Sequence, residues 1–240
     1  MSPNSYSLNC DLGEGVASEP SIIPWIDLAS VACGGHCGDQ NSIRETLTLV
    51  KRFGKKAGAH PSYPDWENFG RKTIDIKPEV LIQSLREQLG LFLDVAEKEQ
   101  IGMDHIKFHG ALYNDSTEKR ELAFLLVNFL KNEFPNIPLF LPPHSEIEKA
   151  AKELNLPFKL EVFGDRAYRN NYKLLSRTAK DSLFTQKKQV ISHLKSIIQY
   201  NLIQTSTGEL LPIQADTICL HGDNPGIVEF LPFVRDQFWK

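Results

Sequence analysis

The residues of this sequence best suited to chemistry fall at the ends of short apolar runs. The first run closes on Asn9-Cys10-Asp11-Leu12-Gly13-Glu14-Gly15, setting the carboxylates Asp11 and Glu14 on a glycine-lined turn where backbone can approach a ligand closely. Alone, such a pair is more often a solvated acidic loop; at the mouth of a barrel it becomes a site candidate. The next run ends in Cys33-Gly34-Gly35-His36-Cys37-Gly38-Asp39. The one after it ends in Gly58-Ala59-His60-Pro61, with Phe69-Gly70-Arg71 downstream. Asp11, His36 and His60 are the ligand types that hold zinc or another divalent ion and activate water for hydrolysis. The same imidazoles could work as neutral acid–base groups, since they titrate near physiological pH. A histidine on its own is more often a satisfied polar residue than a ligand, so both readings stay open. Cys33 and Cys37 lack the second half of a structural zinc site.

The segment His105-Ile106-Lys107-Phe108-His109-Gly110-Ala111-Leu112-Tyr113-Asn114 is the most informative, because strand alternation puts Lys107 and His109 on one face. Burying a lysine is costly, and desolvation favours the neutral amine unless a carboxylate pairs with it. Asp11 and Glu161 are the candidate partners. His105 shares that face but starts the run and is not counted. In Glu161-Val162-Phe163-Gly164-Asp165-Arg166, Arg166 could grip a carboxylate or phosphate bidentately; the plain alternative is an exposed Asp–Arg pair of little worth. The last run ends in Leu220-His221-Gly222-Asp223-Asn224-Pro225-Gly226, where N–H groups at a helix start could hold an anion. His144 and His193 lie in polar, helix-like segments and read as surface residues.

These side chains need a scaffold that brings strand ends together. The β-leaning runs are Tyr6–Cys10, Leu28–Cys33, Gly58–His60, Ile106–His109, Leu139–Leu141, Phe158–Phe163 and Thr217–His221. Helical periodicity runs from Gln40 to Lys56, onward from Pro78, from Thr117 to Phe134, Ser145 to Leu154 and Lys187 to Ile203, and again after Pro225. Strand–helix alternation predicts parallel strands with right-handed crossovers. Polar clusters follow nearly every strand, which favours a barrel over an open sheet. The expected fold is α/β: a single distorted TIM-like (β/α) barrel of about seven strands spanning residues 1–240 as one domain. The polar stretch between Glu161 and Lys188 is long enough to be functional rather than a linker.

Composition narrows the classes. With 27 basic against 30 acidic side chains, a net charge of -3 and no Lys/Arg run, the chain lacks the electrostatic footprint of a nucleic-acid binder. No apolar stretch approaches the roughly 20 residues of a membrane span, and Met1–Ser5 shows no basic start of a secretory signal. A cytoplasmic protein with reduced cysteines is the expectation. No G-x-x-x-x-G-K-[ST], strand-linked G-x-G-x-x-G or G-x-S-x-G is present, which disfavours a self-contained P-loop ATPase, a Rossmann dehydrogenase and an α/β-hydrolase.

Taken in order, the Leu8–Gly15, Ala32–His36, Gly58–Asp65, His109–Asn114, Glu161–Tyr168 and Cys219–Pro225 blocks closely resemble the LamB/YcsF family over essentially the whole chain. The resemblance implies a distorted barrel of the glycoside hydrolase/deacetylase kind. It also implies ATP-dependent opening of 5-oxo-L-proline (pyroglutamate), a cyclic amide, to L-glutamate, ADP and phosphate, by a 5-oxoprolinase assembly in which an A-type chain works with subunits B and C. ATP, with Mg²⁺, is then a co-substrate whose site this sequence does not reveal. The expected catalytic residues are Asp11, His36, His60, Lys107, His109 and Glu161. Those expected to bind substrate are Glu14, Asp39, Arg71, Tyr113, Asn114, Asp165, Arg166, His221 and Asp223. The sequence departs from the family's pattern at Ser30, Gly35, Cys37, Asn68, Lys72 and Phe108, which predicts altered fit near His36 and Lys107. The rival readings are a stand-alone metal-dependent deacetylase or carbohydrate-active hydrolase, and a non-catalytic chain that only binds the lactam.

Overall fold

Apolar residues alternating with polar ones build the wall that carries the candidate side chains. In a computed structural model, which describes residues 6–239, the strands are β1 (Ser7–Leu12), β2 (Leu28–Ala32), β3 (Lys56–His60), β4 (Met103–Lys107), β5 (Leu139–Leu141), β6 (Phe158–Phe163), β7 (Leu202–Gln204), β8 (Leu210–Pro212) and β9 (Thr217–His221). Seven of them close a parallel barrel in the order β1-β2-β3-β4-β5-β6-β9, with β6 pairing directly to β9 through Glu161 opposite Thr217. The expected barrel is thus the observed one. The short strands β7 and β8 form a separate antiparallel hairpin beside it.

Helices α1 (Glu19–Ile22), α2 (Gln40–Arg52), α3 (Pro78–Glu99), α4 (Gly110–Glu118), α5 (Arg120–Glu133), α6 (Glu146–Glu153), α7 (Lys187–Tyr200) and α8 (Ile227–Phe238) surround the strands. Each of the longer helices buries one apolar stripe against the wall. On α2 it is Ile43, Leu47 and Val50, and on α3 Leu81, Leu85, Leu89 and Phe92. Each such side chain, fully buried, contributes about 1.5–3 kcal/mol. No helix among the described residues is long and apolar enough to cross a membrane.

The inside of the barrel is unusual for its polarity. Side chains alternate across a strand, so Asn9 and Asp11 of β1, Lys107 of β4, Glu161 of β6 and Thr217 and Cys219 of β9 meet on the axis. Barrel interiors are usually filled by branched aliphatic residues. Here the aliphatic residues face the helices, and the axis is given to a hydrogen-bonded polar stack. Below it, His105 is held by Ser30 Oγ at 3.0 Å and stacks on Phe140, so setting it aside from the site agrees with its position.

Several local expectations need correction. Strand β4 ends at Lys107, and His109 stands at the N-terminal cap position of α4, a helix that the expected segments, resuming only at Thr117, did not include. Gly110 takes φ +57 there, and an added Cβ would lie 2.5 Å from the carbonyl oxygen of Gly70. Helix α7 stops at Tyr200, because Asn201 turns left-handed at φ 53 and leads into the hairpin. His193 is buried, with Nε2 3.2 Å from the Phe163 carbonyl, whereas His144 is exposed as expected. Met1–Ser5, on which the expectation about a secretory signal rested, lies outside the described residues.

Candidate functional site

The polar stack ends in a buried lysine clamped by two acids. Lys107, only 1% exposed, donates to Asp11 Oδ1 at 2.7 Å and lies 3.1 Å from Glu161 Oε1. Asn9 ties this floor together, donating to Glu161 Oε1 at 2.9 Å and to Thr217 at 2.8 Å. Burial alone would strip the proton from Lys107, but Asp11 and Glu161 outweigh it and hold the ammonium well above the ordinary lysine range. The two acids are pushed apart in turn. Burial would raise Asp11, yet Lys107 with His60 and His221 holds it below the usual carboxylate range, while burial prevails at Glu161 and raises it.

Above the floor opens a cavity of about 440 Å³. Of the expected residues, Asp11, His60, Arg71, Lys107, His109, Tyr113, Asn114, Arg166 and His221 line it. Glu161 does not: it sits behind Lys107, so its part is to hold the ammonium. The loops after β3 and β6 complete the wall with Asn68, Lys72 and residues 174–178.

One wall is a chain of imidazoles. His60 Nδ1 lies 2.7 Å from the carbonyl oxygen of Lys107, and His109 Nε2 lies 3.1 Å from that of Phe69, so each of these nitrogens carries a proton to donate. Between the rings, His60 Nε2 meets His109 Nδ1 at 3.0 Å. With both rings neutral this contact joins two lone pairs, and one additional proton would close it. Burial drives His60 down to about 3 and His109 well below the ordinary histidine range. At rest the pair is therefore neutral, flanked by Asp11 Oδ2 at 3.6 Å and Glu14 Oε1 at 3.3 Å.

The opposite wall is a carboxylate–imidazole dyad. His221 Nδ1 lies 2.8 Å from Asp165 Oδ1, and Asp165 Oδ2 accepts from the His221 backbone N–H at 3.0 Å and from Asn224 at 2.9 Å. Asp165 is fully buried; burial would raise it, but His221 and Asn224 hold it below the usual range. The bond to Nδ1 leaves Nε2 of His221 as the free ring nitrogen. Asp165, expected to bind substrate, is turned to His221 and Asn224 and is not part of the cavity wall.

Glu14, Asp39, Asp223 and His36, also expected in the site, are not part of the cavity wall, and Glu14 is turned to His36 and His109. Asp39 is exposed and caps α2, accepting from the N–H groups of Asn41 and Ser42 at 2.8 and 2.9 Å, and lies outside the cavity wall. Asp223 spans Arg71 at 2.5 Å and Arg177 at 2.9 Å instead of facing a substrate. His36 bonds Glu14 at 3.1 Å and does not join Asp11 and His60 in a ligand set. The donors that do approach one another are Glu14, His36 and His109, all within 4.8 Å. His36 and His109 stack with centroids 3.6 Å apart and planes 5° from parallel, so their in-plane lone pairs run side by side rather than to one point. An ion shared by both would need one ring to turn. Asn9 and Arg177 were missed in the sequence, although Asn9 shares the face of Asp11 by strand alternation and Arg177 lies in the polar loop already singled out.

Comparison with known proteins bears on the whole chain. The LamB/YcsF family profile matches residues 6–240. The A-type chain of a 5-oxoprolinase from Staphylococcus carnosus (strain TM300) is 33% identical over 238 residues, covering 97% of this chain and 94% of that relative. A crystal structure of a lactam utilization protein from Thermus thermophilus superposes with a TM-score of 0.88 at 29% identity, covering 97% of this chain and 96% of that one. A GH113 β-1,4-mannanase shares the fold alone, with a TM-score of 0.53 at 11% identity over 100% of this chain and 99% of that one.

Proposed function

The chain belongs to the LamB/YcsF family, and on that premise we propose that it is the lactam-opening component of an ATP-dependent 5-oxoprolinase. With subunits B and C it converts 5-oxo-L-proline, water and ATP to L-glutamate, ADP and phosphate. The observation that carries this reading is Lys107: a charged ammonium buried under a cavity between two carboxylates, with histidines on both walls. An amide carbonyl is a poor electrophile, and a fixed positive group beside its oxygen stabilises the charge that develops as water adds.

In this mechanism the lactam carbonyl points toward Lys107, and Tyr113, whose buried hydroxyl is coupled to Glu161, stands in the same wall. His221, held in one tautomer by Asp165, takes the proton from the attacking water and returns it to the ring nitrogen as the C–N bond breaks. The neutral His60–His109 pair lines the facing wall. Asp11 keeps both Lys107 and His60 in place. ATP would be used with the partner subunits to phosphorylate the lactam oxygen, releasing ADP; water then adds to the activated carbon, the C–N bond breaks to leave an acyl phosphate, and a second water releases phosphate.

The test is glutamate release from 5-oxoproline and ATP by the chain mixed with subunits B and C. Loss of a general acid–base group typically costs about 10²–10⁴ in rate. His221→Ala should fall by that much while the folded protein still assembles. A chain that only binds the lactam would tolerate the change, and near-normal glutamate release would contradict the role.

A further inference from the structure

The lactam chemistry uses the inner part of the cavity and leaves its outer part unexplained. There Arg71 and Lys72 from the loop after β3 face Arg166, Ser176, Arg177 and Thr178 from the loop after β6. Arg166 is only 5% exposed, yet among the described residues no carboxylate lies within ion-pair distance of it. Its Nε and Nη2 donate to the carbonyls of Ser182 at 3.1 Å and Leu175 at 2.7 Å, which fixes the loop, while Asp165 and Asp223 offset only part of the charge from beyond ion-pair distance. A buried guanidinium without a direct ion pair is expensive. A like-charged neighbour adds to the cost: burial first, then repulsion from Arg177, lowers Arg166 to about 10. Arg71 and Arg177 share a single carboxylate oxygen, Asp223 Oδ2, so one acid serves two cations. The outer cavity is thus built around excess positive charge, with guanidinium forks and two hydroxyls in its wall.

We propose that the outer cavity is a phosphoryl-binding subsite in which Arg71, Arg166 and Arg177 receive the anionic oxygens. A carboxylate alone brings one negative charge, whereas a phosphate group carries about 1.5 to 2 at neutral pH and matches guanidinium forks with three acceptor oxygens. The cavity, about 440 Å³, lies in the range that encloses ligands far larger than one lactam ring, so the two groups fit side by side. The subsite rests on the proposed function only for its carrier, which would be a substrate activated by ATP elsewhere in the assembly; binding of phosphate itself needs neither ATP nor partners.

Titration calorimetry of the full chain with inorganic phosphate tests it. Phosphate should bind, acetate should bind at least tenfold more weakly, and Arg177→Gln and Arg71→Gln should each weaken phosphate at least tenfold with unchanged circular dichroism. These variants leave the loop ties made by Arg166 intact. Saturating 5-oxoproline should leave phosphate affinity within about threefold. The proposal is overturned if phosphate does not bind, if acetate binds equally well, if neither variant weakens binding, or if 5-oxoproline displaces phosphate competitively. Failure of glutamate release with intact phosphate binding would count against the lactam reading and not against this subsite.

Discussion

Lys107 is the residue on which the site depends, and its type and position were legible in the sequence. A lysine inside an apolar run, on the same face as the following histidine, had to find acids, and both candidate partners turn out to hold it. What could not be read was which acid faces the cavity. Glu161 and Asp11 both end up beside Lys107, yet only Asp11 lines the open space, a difference set by the register of strands around the barrel and not by alternation along either one. The roles of Asp165 and His36 were hidden for a related reason: each is defined by a partner more than twenty residues away, Asp165 by His221 and His36 by the Glu14 turn and the stacked His109 ring. Asp165 gives a sharp prediction at this scale. Asp165→Asn keeps the size of the side chain but no longer stabilises an imidazolium at His221 or fixes its tautomer. Turnover number should fall by about 10²–10⁴ with little change in KM. A rise in KM with unchanged turnover would instead make Asp165 a substrate contact.

Elements were read more securely than the joints between them. Long, apolar or strongly periodic segments such as β2, β9, α2 and α3 lie within a few residues of where the pattern put them. The misses, α1, α4 and the β7–β8 hairpin, are short and decided by tertiary packing. Asp39 illustrates the cost of reading a polar strand-end residue as functional when a helix begins beside it. Its side chain caps α2, so Asp39→Ala should lower stability by about 0.5–2 kcal/mol in denaturant unfolding and leave KM for 5-oxoproline unchanged. An altered KM with normal stability would restore the binding role. Helix α7 carries a second prediction. Burial pushes His193 down to about 4, so it is neutral in the folded protein and protonates more readily once unfolded. Its contribution to stability is fully present above the ordinary histidine pKa of about 6.5 and is lost as pH falls toward 4. His193→Gln, which can keep the bond to the Phe163 carbonyl, should lose less stability than the parent between pH 7 and 5. Equal losses would show that His193 does not titrate in that window.

Over the whole molecule, the barrel serves to bring loops and strand ends from β1, β3, β4, β6 and β9 to one opening, so residues from Asp11 to His221 share a cavity. The net charge of -3 gave no hint of this, since the outer cavity is locally basic while its floor is a neutralised ammonium–carboxylate cluster. Removing Lys107 should affect stability and chemistry together. Breaking a buried pair by deleting one partner costs about 3–5 kcal/mol, because Asp11 and Glu161 would then face each other without a cation. The variant must therefore be assayed below its unfolding transition and with its assembly verified. The most direct measurement is the rate of glutamate release from 5-oxo-L-proline and ATP by folded Lys107→Met chain combined with subunits B and C, set beside the parent. A loss of at least about 10²-fold, on the scale of removing one donor to a developing oxyanion, is the predicted result, and a rate close to that of the parent would contradict the assignment of this cavity as the place where the lactam opens.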